Sequence, residues 1–326
     1  MRRYIARRLL QSIPLLLLVS IVIFYVLRLV PGGPLSVFAR GQTSPEALAQ
    51  IRIKLGLDQP LIVQYFHWLG QTLQGNLGNS YDTGRPVLTE ILARVGPTFY
   101  LIGSTFLLVL IISILVGVIS AVRQYSALDI GITTFTFIGQ ALPVFWVGLV
   151  LILIFFSTLS NPSTGLPLLP ASGMYSVGKP FSVWDWLAHL ILPMVALGLG
   201  WISWYSRYLR ASMLDVIHQD YIRTARAKGL KENVVIFKHA LKNAAIPLVT
   251  VVALDLPTLF GGSLFAEIIF SWPGMGRLFY HAVERRDYPI LMGTILITAA
   301  MMILANLIAD IVCSYLDPLI RYEKSR

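Results

Sequence analysis

One cysteine, Cys313, stands among 326 residues, which excludes an intrachain disulfide. It falls in the last apolar run, where a buried structural thiol is expected. Charge is also scarce. Asp, Glu, Lys and Arg make up 13% of the chain against roughly 25% in soluble domains, while hydrophobic residues reach 56%. That balance excludes an ordinary soluble domain and fits an integral membrane protein. The phosphate cradle G-x-x-x-x-G-K-[ST] is missing, as are H-E-x-x-H, C-x-x-C and G-x-S-x-G. No catalytic residue is therefore expected, and the chain is not read as an enzyme. His67, His189, His218, His239 and His281 are scattered, so neither a metal site nor a bound cofactor is expected. The formal charge of +10 could suggest nucleic acid. Here, however, the basic residues sit at the ends of apolar runs rather than on a soluble face, so no nucleic-acid partner is inferred.

What is present is a series of apolar runs long enough to span a bilayer at about 20 residues per crossing. The first, over 9–30, follows Arg2, Arg3, Arg7 and Arg8. It exceeds the 7–15 residues of a signal-peptide core and no small-x-small cleavage site follows, so it reads as a retained span within segment 1–30. Further spans are expected at 98–122, 132–157, 187–206, 247–265 and 288–313. The fold class is thus all-α with six transmembrane helices. Of 26 Lys and Arg residues, 16 fall in segments that would be cytoplasmic with the N-terminus inside. Six of the other ten lie in or beside the long segment 31–97, where charge weighs less on topology. Both termini, including the tail 317–326, are therefore expected in the cytoplasm.

Residues 31–97 carry charges of both signs and read as a small external module, with a helix starting at Ser44 as N-cap and Pro45 at the first position. The outer loop 158–186 is rich in Pro, Gly and Ser and reads as a lid or partner contact. Spans two to four occupy 98–206, and spans five and six 247–316.

The most informative stretch is the basic loop 207–246, expected on the cytoplasmic side. It holds Arg207, Arg210, Arg223, Arg226, Lys228, Lys231, Lys238 and Lys242. Tyr221–Lys228 is rich in helix formers and stops at Gly229, which can take the left-handed conformation that caps a helix. A second helix is expected after it, with Val234, Phe237, Leu241 and Ala244 on one face and the lysines on another. Two short helices hinged at a glycine make a docking element.

RTARAKGL followed by KHALKNAAIP resembles the coupling loop of ABC importer permeases of the dipeptide, oligopeptide and nickel group. Where the general pattern has Glu-Ala-Ala, this chain has Arg223, Thr224 and Ala225, as in the peptide and nickel subgroup. LGLDQP at 55–60 and GNLGNS at 75–80 resemble the group's external module, with Asn76 in place of the usual Asp. AEIIFSWPGMGRLFYHAVERRDYP at 266–289 resembles its re-entrant or interfacial outer element, and Asp310, Asp317, Pro318 and Arg321 match its closing pattern.

The resemblance implies a permease subunit of an importer that moves dipeptides or oligopeptides into the cell. Implied partners are a homologous second permease, two ATPase domains carrying ATP and Mg, an extracellular substrate-binding protein and membrane lipid, in a bacterial or archaeal plasma membrane. Nickel chelates, glutathione or oligosaccharides are alternative cargoes. A standalone channel or an intramembrane enzyme is the alternative class.

The implied ATPase-coupling residues are Asp220, Tyr221, Arg223, Thr224, Ala225, Arg226, Ala227, Lys228, Gly229 and Leu230. The implied external gate is Glu267, Phe270, Trp272, Pro273, Gly274 and Gly276, with Glu267 expected to pair with Arg277, Arg285 or Arg286. Pathway candidates are Pro143 and Pro257, which interrupt spans, and Asp255. Counted from Pro247, Asp255 lies about 12 Å along its helix, and a carboxylate at such depth is a functional candidate or pairs with a polar group nearby.

Overall fold

Membrane-length helices are where the backbone satisfies itself without water, and this chain is helical over most of its length. The computed structural model describes residues 2–39, 44–255, 257 and 263–316. In order the helices are α1 (Arg2–Leu29), α2 (Pro45–Lys54), α3 (Leu61–Leu73), α4 (Val87–Val122), α5 (Ala127–Ala141), α6 (Val144–Ile152) and α7 (Val183–Ile217). They continue as α8 (Asp220–Ala227), α9 (Glu232–Val234), α10 (Leu241–Asp255), α11 (Leu264–Ile269), α12 (Met275–Arg285) and α13 (Tyr288–Leu316). Five helical stretches among the described residues are long and apolar enough to cross a membrane, and a bent pair brings the number to as many as six.

The boundaries correct several expectations. The span placed at 132–157 is broken: Ala127–Ala141 and Val144–Thr158 meet at 104° around Pro143. Leu142 is extended (φ −83°, ψ 129°), as the residue before a proline prefers, so the helix stops instead of kinking. α4 begins at Val87, ten residues inside the segment read as the external module, and carries Pro97 within it. α7 runs to Ile217, so Arg207 and Arg210 lie on a helix and not in a loop. The span placed at 247–265 is instead a helical run from Glu232 to Asp255, with Pro247 inside it. Pro257 lies beyond that helix end. The motif residues Asp317, Pro318 and Arg321 and the tail 317–326 lie outside the described residues. The N-terminal reading of α2 holds: Ser44 caps it, accepting from the Ala47 amide at 3.2 Å, and Pro45 opens it.

The chain divides into two units, Met1–Thr98 with Pro273–Leu307 and Phe99–Trp272 with Ile308–Arg326. In the first, Val87 and Ile91 pack with Met275, Ala282, Ile290 and Leu291. Gly293 permits this approach of α13 to α4, since a Cβ there would stand 2.7 Å from Val87 Cγ1. In the second, one apolar cluster joins α4, α7, α8 and α10 through Val118, Tyr205, Leu209, Met213, Ile222 and Ala244. A separate cluster gathers Leu101, Leu190, Leu197, Ala266, Phe270 and Trp272.

Candidate coupling element and outer gate

α8 is amphipathic by sequence and by packing. Ile222 and Ala225 are buried in the apolar cluster, and burying an Ile side chain contributes about 1.5–3 kcal/mol. Tyr221, Arg223, Thr224, Arg226, Ala227, Lys228, Gly229 and Leu230 are exposed. The helix presents its polar side while two apolar residues hold it down. Asp220 and Arg223 form a solvent-exposed pair at 3.5 Å that contributes little.

The helix ends in a Schellman motif. Gly229 N donates to Arg226 O at 2.9 Å, Leu230 N donates to Ala225 O at 3.4 Å, and Gly229 has φ of +75°. The glycine hinge read from the sequence is therefore present, with the left-handed geometry that glycine adopts without strain. Arg226 then reaches across the joint, donating from Nε and Nη2 to Glu232 at 3.3 and 2.8 Å. This pairing holds the Arg226 guanidinium above its usual range. Asn243 adds a bond to the Tyr221 hydroxyl at 3.0 Å.

The next helix buries only the second half of the stripe expected of it, Ala244 wholly and Leu241 in part. Val234 is 37% exposed and Phe237 54%, whereas Val235, Ile236, Ala240, Ala244 and Leu248 are buried. The reason is a π-helical turn over Val235–Ala240. It accommodates an extra residue per turn, so a stripe drawn at regular α spacing slips off the buried face.

The outer-gate candidates divide between the two units. Glu267, Phe270 and Trp272 belong to the second and are almost wholly buried. Ser263 Oγ donates to Glu267 at 2.7 Å, and Gly173 N of the 158–186 segment donates to Phe270 O at 2.8 Å. Pro273, Gly274 and Gly276 belong to the first unit, where Thr98 Oγ1 caps α12 by accepting from Met275 N at 2.7 Å. Gly274 is extended (φ −99°, ψ −174°), so the turn makes no special demand for glycine there. The left-handed residue is Ser271, at φ +48°. Arg285, expected beside Glu267, instead bonds to Asp82. The pathway candidates do not converge either: Pro143 is flanked by Leu142 and Val144 on the Trp272 cluster, whereas Asp255 accepts from the Tyr205 hydroxyl at 3.0 Å.

Residues 113–322 match the family model described as binding-protein-dependent transport system inner membrane component, and residues 1–102 match the N-terminal model of the same transport systems. The chain belongs to this family. The permease is 43% identical to the oligopeptide transport system permease protein AppB of Bacillus subtilis (strain 168), over 99% of this chain and 100% of that protein. It is 38% identical to the dipeptide transport system permease protein DppB of Alkalihalophilus pseudofirmus and to the glutathione transport system permease protein GsiC of Salmonella typhi, over 99% and 100% in each case. An inward-facing structure of the MetNI methionine ABC transporter shares the fold, with TM-score 0.55 and 17% identity over 71% of this chain and 97% of that one.

Three side chains organise the permease through partners that the sequence did not reveal. Asp129, buried on α5, accepts from Arg210 Nε and Nη2 at 2.9 and 2.8 Å, from Tyr125 N at 2.9 Å and from Ser120 Oγ. Arg207, on the same helix as Arg210, lies 4.5 Å from the Phe137 ring centroid and donates to Gln140. Asp287, buried in the first unit, accepts from Ser80 Oγ and from the amides of Tyr81 and Asp82 at 3.1 and 3.3 Å. Each pairs residues 67 to 207 positions apart, except Ser120 and Tyr125, so no window on the sequence joins them.

Proposed function

We propose that this permease is one of two transmembrane subunits of an ABC importer that carries dipeptides or oligopeptides into the cell. The single observation that carries the reading is α8: a short helix pinned by Ile222 and Ala225, stopped by a left-handed Gly229, offering Tyr221, Arg223 and Thr224 to a partner. The peptide cargo rests on relatives named as oligopeptide and dipeptide permeases. Glutathione, itself a tripeptide, is the second reading, and the relative named as a glutathione permease favours it.

In this reading both termini and the 207–246 segment face the cytoplasm, and residues 31–97, 158–186 and 266–289 face outward. Two ATPase subunits receive α8 of this chain and of a homologous second permease, while a substrate-binding protein delivers peptide from outside. ATP and Mg belong to the ATPases. Their closure pushes α8 as a lever, because the Schellman stop and the packing of Ile222 and Ala225 against Val235, Ile236 and Ala240 join it to the long helix that follows. That helix packs against α7, so movement passes to the spans as alternating access. Glu267, Phe270 and Trp272 brace the outer gate from within.

The test is uptake of radiolabelled tripeptide into vesicles holding the chain with its co-purified ATPase and binding protein. Uptake that needs ATP inside and binding protein outside supports the reading. Peptide-independent leakage without any co-purifying ATPase would replace it with a channel.

A further inference from the structure

The helix α3, Leu61–Leu73, is 13 residues long and contains no Asp, Glu, Lys or Arg. It is too short to cross a bilayer, which takes about 20 residues. Its side chains fall into three stripes at helical spacing. Tyr65 and Trp68 pack on α1. Gln64, His67 and Gln71 line a cavity of the first unit. The third stripe is apolar throughout: Ile62, Phe66 and Leu73 are 58%, 62% and 79% exposed, with the half-buried Leu69 between them.

The depth of that stripe follows from what α3 packs on. The Tyr65 and Ser20 hydroxyls share a hydrogen bond at 2.9 Å, and the Phe24 ring lies 5.4 Å from the Tyr65 ring and 5.8 Å from that of Trp68. Phe24 and Ser20 precede Leu29, where the apolar span Arg7–Leu29 ends, so at 1.5 Å per residue they lie about 7 and about 13 Å inside it. Amphipathic helices that lie in the plane of a membrane sit about 5–10 Å into the boundary of headgroups and acyl chains, the level at which α3 is held. Over the same depth α1 exposes Val22, Val26 and Leu29, so both helices present apolar surface at one level. Tyr25, Tyr65 and Trp68 gather there as well, residue types that favour that boundary. Facing water, the stripe would be a contiguous apolar patch. We propose that α3 is seated in the outer leaflet beside α1, its Ile62, Phe66 and Leu73 stripe against lipid acyl chains. The segment 31–97 is then anchored in the membrane and is not a free external module. The insertion rests on α1 being a span and not on the cargo, so its failure would leave the transport reading intact.

Ile62→Cys, Phe66→Cys, His67→Cys and Leu73→Cys are made singly in a Cys313→Ala background and labelled with bimane. All four positions are exposed, so the substitutions remove little packing. Each full-length variant is placed in phosphatidylcholine nanodiscs, alone and with its co-purified importer subunits, and part of the lipid carries a nitroxide near the headgroup or near the acyl end. The nitroxide near the headgroup should quench bimane at 62, 66 and 73 at least about threefold more than at 67, and more than the nitroxide at the acyl end does, as a shallow seat requires. Iodide in the buffer should reverse the order and reach 67 best. The three stripe positions report independently, so loss of one variant leaves the test standing. The proposal is overturned if lipid quenches 62, 66 and 73 no better than 67, or if iodide quenches all four alike. Lipid quenching that is present in the permease alone and lost in the assembled importer would give the stripe to a partner subunit and equally overturn it.

Discussion

Arg210 holds Asp129 with two guanidinium nitrogens at 2.9 and 2.8 Å, joining α7 to the first turn of α5. The carboxylate is 4% exposed, so its partner cannot be replaced by water. Removing Arg210 alone should cost about 3–5 kcal/mol, because an uncompensated buried charge remains. Arg210→Met should therefore lower the melting temperature of the detergent-solubilised permease sharply. Adding Asp129→Asn should recover much of the loss. A double variant as unstable as the sum of its parts would show that the pair does not interact.

Asp287 plays the corresponding part in the first unit. Its carboxylate accepts from Ser80, Tyr81 and Asp82 and, at 3.4 Å, from Ile290 N at the start of α13. Asp287→Ala leaves these donors without their acceptor. Each such loss costs about 1–3 kcal/mol where the donor is buried. The expected result is faster limited proteolysis within residues 79–86, with digestion elsewhere in the chain little changed.

Gly229 has open space around its Cα, so a side chain meets no neighbour there. The cost of substitution lies in the φ of +75° and amounts to about 1–2 kcal/mol for a non-glycine residue. Gly229→Val should leave expression intact while abolishing substrate-stimulated ATP hydrolysis in the reconstituted complex. Gly229→Asn, which tolerates the left-handed region, should retain most of it, and Lys228→Ala should do little. Normal stimulation in the Val variant would reduce the glycine to a loop filler.

Orientation is checked by cysteine labelling. Ser44, Ser172 and Asn233 are all exposed on the chain. In a Cys313→Ala background, cysteines at 44 and 172 should react with an impermeant maleimide in intact cells, and one at 233 should react only after permeabilisation. Labelling at 233 in sealed cells would invert the topology.

The sequence by itself determined the all-helical class, the apolar runs, α2 and its Ser44 cap, and the Gly229 stop. These depend on local physics: hydrophobic length, a proline at a helix start, a glycine where φ must be positive. Tertiary structure alone decided the rest. Pro143 could be read as a kink, but whether a proline bends or ends a helix depends on what packs on either side. The π turn at Val235–Ala240 put Val235 and Ile236 on the buried face in place of Val234 and Phe237, a change invisible to a stripe drawn at 3.6 residues per turn. Arg210 read as a bare positive charge, and Arg285 as a candidate partner of Glu267, until the fold set Asp129 and Asp82 against them. These pairs lie 81 and 203 positions apart, and only the packing of distant backbone brings them together.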